Sequence, residues 1–232
     1  MEATPKETKK VKGWTWSMID HLSYIAPLLL PSYSSRLGRH LVAKTEIKMG
    51  TILCEEEVLI ILCMPGIDEG TLLKHRDKIR QACPFFDNLH PKSTHFPKST
   101  TIKSQYDNDC LVVKRIETNG FDAGSFNSFS TIGLSLFVSM ASHACDPSAC
   151  YGVGTWPSSE NKNLLRAIAV KDLKAGEEVT IRYGRCEEML VGYGFECSCI
   201  GSCLDGTITT LQEEFIKSLH SNPLQGEMIG MF

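Results

Sequence analysis

From Gly133 to Cys203 the chain gathers its least interchangeable residues into one stretch. It opens GLSLFVSMASHACDPSAC, runs through LLRAIAVKDLKAGEEVTIRYG and closes on GYGFECSCIGSC. A compact apolar run, Ile132–Met140, meets a polar turn, Ala141–Ser148, centred on Asp146-Pro147. Two strand-like runs follow, Leu164–Val170 and Val179–Arg182, separated by the tight turn Lys174-Ala175-Gly176-Glu177. The second run ends on Tyr183-Gly184, and residues 186–195 read as a short helix or turn leading into a cysteine cluster.

The cysteines need an explanation. No membrane-length apolar run and no secretory leader pattern is present. The ten cysteines therefore point to a reducing compartment, where burial or metal binding is the default. Cys54, Cys63, Cys83, Cys110, Cys145, Cys150 and Cys186 are scattered, as small buried hydrophobes usually are. Cys197, Cys199 and Cys203 are clustered. A C-x-C pair is too close for an unstrained disulfide. Three thiolates this near one another can fill three corners of a tetrahedron around zinc, at about 2.3 Å each. A structural zinc then requires a fourth ligand from elsewhere. A chance grouping of buried thiols is the competing explanation.

Composition adds exclusions. The chain has 232 residues, 42% hydrophobic and 22% charged, enough for one domain with extensions. A net charge of −3 and a pI near 6.2 give no global attraction to nucleic acid or an anionic membrane. The basic run Lys6–Lys12 reads as a solvated tail. Residues 1–33 read as a loosely ordered arm, with Trp14 and Trp16 stapling it to the domain. Ser34–Cys63 predicts two or three short strands, with a turn at Lys48–Gly50. Residues 69–83 predict a helix with Leu72, Ile79 and Cys83 on one face, and Asp77 and Lys78 opposite. A proline-rich loop follows, in which His90 and His95 read as surface residues. Leu111–Ile116 reads as a strand, Asn119-Gly120 as a turn and 122–130 as a flexible loop. Beyond Cys203, residues 207–220 are weakly helical and the tail carries no signal. His143 and Cys145 do not read as a nucleophile and its base, because residues two apart on a turn rarely face each other and no orienting group is evident.

The combination is more specific than its parts. In order the chain carries S-R-L-G-R-H-L-V-A, E-T-N-G-F, S-H-A-C-D-P-S, A-G-E-E-V-T-I-R-Y-G and Y-G-F-E-C-S-C-x3-C. This resembles the SET-domain protein-lysine methyltransferases, most closely the branch that includes the SET-and-MYND proteins. The resemblance covers roughly residues 34–63 and 108–204. It implies a mainly β SET fold with an α insert, built from several small β-sheets and a pseudoknot. Its division would be an arm at 1–33, a SET domain at 34–185 with a helical insert at about 64–107, a zinc-binding post-SET segment at 186–204 and a tail at 205–232.

The resemblance also implies an activity: transfer of a methyl group from S-adenosylmethionine to a lysine of a histone or another protein, in the nucleus, the cytoplasm or both. No direct nucleic-acid or membrane partner is expected. Gly38 and Arg39 would cradle the cofactor, Asn119, Ser142 and His143 would contact it, and Phe195 would lie against its adenosyl part. Tyr183 and Tyr193 would be catalytic, Tyr183 beside the transferring methyl and Tyr193 walling the lysine channel with Phe121. Cys145 would join Cys197, Cys199 and Cys203 on a structural zinc.

Three positions depart from the family pattern. Ser142 stands where the family has Asn, His40 where it has a second glycine, and Ser148 where it has another Asn. Losing one or two cofactor hydrogen bonds costs about 1–3 kcal/mol, a roughly ten- to hundredfold weakening. A SET fold that has lost catalysis and serves protein or chromatin recognition is the alternative. Residues 64–107 lack the paired C-x-x-C spacing of a MYND finger.

Overall fold

The computed structural model describes residues 11–12, 14–63, 76–89, 115–116, 118–126, 129–154, 163–184 and 228–229. Helix α1 spans Trp16–Ile25. The strands are β1 (Leu29–Ser34), β2 (Gly38–Ala43), β3 (Ile52–Glu57) and β4 (Leu59–Cys63). Helix α2 (Arg76–Ala82) and a 3-10 turn (Phe86–Asn88) follow. Then come β5 (Gly120–Phe126), β6 (Phe129–Leu134), α3 (Leu136–Met140), β7 (Ser142–His143), β8 (Ala149–Gly154), β9 (Leu164–Ala169), β10 (Thr180–Ile181) and β11 (Met228–Ile229).

The strands form small sheets rather than one large one. β1 and β2 make an antiparallel pair, and β3, β9 and β8 an antiparallel triplet with β9 central. β5, β6 and β4 are antiparallel, with β11 added in parallel on the far edge of β4. β7 lies parallel to β10, so the polar turn is fastened beside the strand that leads to Tyr183. The turns are chemically apt: Gly38, Gly50 and Gly176 all have positive φ, where a side chain is strained. Met18, Leu22, Leu41, Ile60, Ile61, Phe86 and Phe137 are almost completely buried and knit the sheets to α1 and α3.

The N-terminal arm is not loosely ordered where it is described. Thr15 caps α1 by accepting the Met18 N–H at 3.4 Å, and Met18, Leu22 and Ile25 line its buried face. Trp14 does act as a staple, buried and donating Nε1 to the Ser32 carbonyl at 2.9 Å. Trp16 is 52% exposed and staples nothing. The strand start at Leu29 tolerates Pro31 because β1 pairs on one side only.

Other expectations are corrected in the same way. The segment read as a flexible loop, 122–130, contributes to β5 and β6, because pairing with a buried neighbour outweighs a Gly/Ser composition. Asn119-Gly120 is not a hairpin turn: Asn119 ends a helical turn and Gly120 begins β5. A Cβ on Gly120 would sit 2.5 Å from the Ile116 carbonyl oxygen, so glycine is there for space. Arg115 and Ile116 are helical rather than extended. The tail supplies β11, in register with Ile60 and Ile61. In α2, Ile79 is buried and Asp77 and Lys78 exposed, and Cys83 just after it is buried, as the periodicity predicts. Leu72, His90, His95 and residues 186–195 and 207–220 lie outside the described residues.

Candidate active site

Strand ends bring three predicted site residues to one cavity of about 240 Å³. Asn119 comes from the helical turn before β5, Phe121 from β5 itself and Tyr183 from the residue pair after β10. Thr118, Ser139 and Tyr151 complete much of its polar and aromatic lining. A larger cavity, about 740 Å³, opens between α1 and β3, but it contains no predicted site residue. Size alone does not mark the site; convergent polar and aromatic groups do.

Tyr183 is fixed at both ends. Its hydroxyl donates to the Ala141 carbonyl at 2.5 Å, and its backbone N–H donates to His143 Nδ1 at 3.2 Å. The two rings lie 5.4 Å apart, tilted by 53°. Because Nδ1 accepts, the His143 ring carries its proton on Nε2, which lies 3.5 Å from Cys145 Sγ. Burial first, and the nearby Arg182 charge second, lower the His143 pKa below the ordinary imidazole value. His143 and Cys145 therefore do face each other, against the expectation from turn geometry. The imidazole is nonetheless committed to Tyr183 through Nδ1.

Phe121 and Asn119 are fixed as firmly. Asn119 is buried and donates Nδ2 to the Arg115 carbonyl at 2.8 Å. Phe121 lies across the strand from Gly133, where an added Cβ would come within 2.2 Å of its ring. Its other neighbour is Tyr151, edge to face at 5.3 Å between centroids. Tyr151 was not singled out in the sequence. The available signal was an aromatic just beyond the polar turn, at the start of β8.

The remaining predicted residues stand apart from this cavity. Gly38 has φ 69° in the turn into β2, and a Cβ there would meet nothing within 4 Å. Its backbone conformation, not crowding, calls for glycine. Arg39 directs Nη1 to the Asn88 carbonyl at 2.8 Å and lies 3.6 Å from Met18 Sδ. His40 is buried, with Nδ1 3.1 Å from the Gly38 carbonyl, so its ring folds back over its own turn. Ser142 donates its N–H to the Val179 carbonyl at 3.4 Å within the β7–β10 pairing. Ser148 does more than replace a turn residue: buried, it receives the Thr180 N–H on Oγ at 2.9 Å and donates its own N–H to Thr180 Oγ1 at 3.0 Å.

These elements match a known pattern over most of their length. The SET-domain family model covers residues 38–184. The chain belongs to the SET-domain family. No curated protein matches it in sequence. Among solved structures, the SET domain of LSMT bound to lysine and AdoHcy shares its fold, with a TM-score of 0.53 and 13% identity. That likeness covers 78% of this chain and 56% of the other, so the SET domain here spans little more than half of that structure. A Plasmodium falciparum protein described as a candidate histone methyltransferase is similar at a TM-score of 0.37 and 11% identity, over 68% of this chain and 93% of that one.

The SET-domain core described here leaves Tyr193, Phe195, Cys197, Cys199 and Cys203 outside the described residues. Of the predicted zinc ligands only Cys145 is described, half-buried and unoxidised on the polar turn. No group of three or more metal-ligating side chains occurs among the described residues. Elsewhere burial pushes the Cys54 and Cys83 thiols well above their ordinary pKa, which makes them inert core groups, and it pushes the half-buried Cys150 up to about 12. Among the described residues no helix is long and apolar enough to cross a membrane.

Proposed function

We propose that this chain is an S-adenosylmethionine-dependent protein-lysine N-methyltransferase acting on a histone or another protein. The observation that carries the proposal is the double anchoring of Tyr183 at a cavity it shares with Asn119 and Phe121. Within the family the motifs favour the SET-and-MYND branch, without a MYND finger and with a post-SET zinc segment. The thiol-rich composition suits the nucleus or cytoplasm, and the charge balance gives no reason to invoke nucleic acid or membrane.

When bound, S-adenosylmethionine supplies an electrophilic methyl on a sulfonium. Gly38, Arg39, Asn119, Ser142, His143 and Phe195 are the residues assigned to hold it. The protein's task is then alignment and desolvation. The Tyr183 oxygen, held by Ala141, offers a fixed lone pair toward the polarised methyl or the amine. Phe121 and Tyr193 are the residues assigned to an aromatic channel that would disfavour a charged lysine, whose ordinary pKa is about 10.4. Cys145, Cys197, Cys199 and Cys203 would hold zinc in a structural role.

A second reading, a SET fold retained for protein or chromatin recognition, is favoured by Ser142 and by the buried His40 folded over the Gly38 turn. One experiment separates the two. Calorimetric titration should detect cofactor binding, and a peptide or protein array should show methyl transfer that Tyr183→Phe lowers about 100-fold. Absence of cofactor binding at millimolar concentration defeats the enzyme reading; methylation abolished by Tyr183→Phe defeats the other.

A further inference from the structure

The 3-10 turn Phe86–Asn88, which follows α2, is gripped from two directions. Arg115 donates Nη2 to the Asp87 carbonyl at 2.7 Å, Nε to the Leu89 carbonyl at 3.2 Å and Nη1 to Asp87 Oδ1 at 2.8 Å. Arg39 donates Nη1 to the Asn88 carbonyl at 2.8 Å. Three successive carbonyls thus meet two guanidinium groups, whose fixed forks suit several acceptors at once. The Arg115 guanidinium also lies 5.6 Å from the centre of the Phe86 ring, itself fully buried.

Both arginines belong to segments that the proposed reaction needs. Arg39 directly follows Gly38 in the turn into β2, and burial lowers its pKa, as suits a side chain packed inward. Arg115 holds the 3-10 turn with its side chain and the Asn119 amide with its backbone carbonyl. The two candidate cofactor segments are far apart in the chain, yet both bear on the same four-residue stretch of the insert.

We propose that Phe86–Leu89 is a strut that sets the spacing between the Gly38 turn and Asn119, with Arg39 and Arg115 as positioning residues for cofactor binding. This rests on the methyltransferase reading and deepens it. Arg39 holds the cofactor through the backbone of the Gly38 turn, while its guanidinium ties that turn to the insert.

The test is calorimetric titration of the full chain with S-adenosylhomocysteine, for wild type, Arg39→Lys, Arg115→Lys, the double variant and Phe86→Leu. Thermal unfolding checks that each is folded; if Phe86→Leu is not, Phe86→Met takes its place. Each single variant should weaken binding about tenfold, Phe86→Leu included, since it removes the ring packed against the Arg115 guanidinium. The double variant should weaken it less than the product of the singles, because both changes release one turn. In turnover, KM for S-adenosylmethionine should rise while kcat and KM for the lysine substrate hold. Unchanged binding in the Phe86 variant, or fully multiplicative effects at Arg39 and Arg115, would overturn the strut alone. A wild-type chain that binds no S-adenosylhomocysteine removes the methyltransferase reading and the strut with it.

Discussion

At the scale of single residues the site turns on one imidazole. His143 accepts the Tyr183 N–H on Nδ1, which only an unprotonated nitrogen can do. Its folded pKa lies below the ordinary 6.5, with burial the larger cause and Arg182 the smaller. The unfolded ring therefore takes up a proton first as pH falls. The stability His143 contributes is intact above the unfolded pKa, and it drains away as pH drops toward the lower folded value. Wild type should lose more urea resistance between about pH 7.5 and about pH 5.5 than His143→Asn, whose Oδ1 accepts without titrating. Parallel slopes would assign the pH dependence to another group. The sequence reading drew Tyr183, Asn119 and Phe121 from motifs at strand boundaries, and the structure gathers all three around one cavity. Tyr151 was not legible there, because an aromatic inside a strand looks like any half-buried residue until its neighbour across the fold is known.

At the scale of elements, the short helix α3 cannot stand on its own propensity. Glu56, 1% exposed in β3, holds its first turn. It accepts Ser135 Oγ at 2.5 Å, the Leu136 N–H at 2.9 Å and the Phe137 N–H at 3.3 Å. His21 approaches the same carboxylate from α1 at 3.4 Å. Since α3 delivers Ala141, which anchors the Tyr183 hydroxyl, a buried carboxylate in one sheet positions a phenol just beyond another. Glu56→Gln turns a donor toward backbone donors and should cost about 3 kcal/mol in urea unfolding. A loss below about 0.5 kcal/mol would mean that the cap is dispensable. Sequence could not have picked this residue. In Glu55-Glu56-Glu57 three identical side chains occupy a strand, and alternation alone does not say which faces inward. The same limit hid β5 and β6, whose glycines are explained only by partners: Phe121 lies over Gly133, and Ile116 presses on Gly120.

At the scale of the molecule, segments remote in sequence close on the same centre. α1 packs into the core from one end of the chain, and β11 joins β4 near the other. Between them β5, β8 and the residues just after β10 present Phe121, Tyr151 and Tyr183 to one cavity. The small-sheet architecture was legible because the motif set implied it; the roles of the termini were not, since neither carries a motif. Cys145 belongs to this same convergence, on the turn beside β7 and in contact with His143. If it shares a zinc with Cys197, Cys199 and Cys203, the metal ties the segment carrying Tyr193 and Phe195 to the imidazole that holds Tyr183. Metal analysis should then find about one zinc per purified chain, and Cys145→Ser should lower that content. Chelation should lower the thermal midpoint and weaken S-adenosylhomocysteine binding together, because metal affinity in such a site is folding energy. His143→Asn should leave the zinc content unchanged, since the ring touches the thiol without being a ligand. A well-folded, metal-free chain would sever Cys145 from the cysteine cluster and leave the imidazole to hold Tyr183's backbone without it.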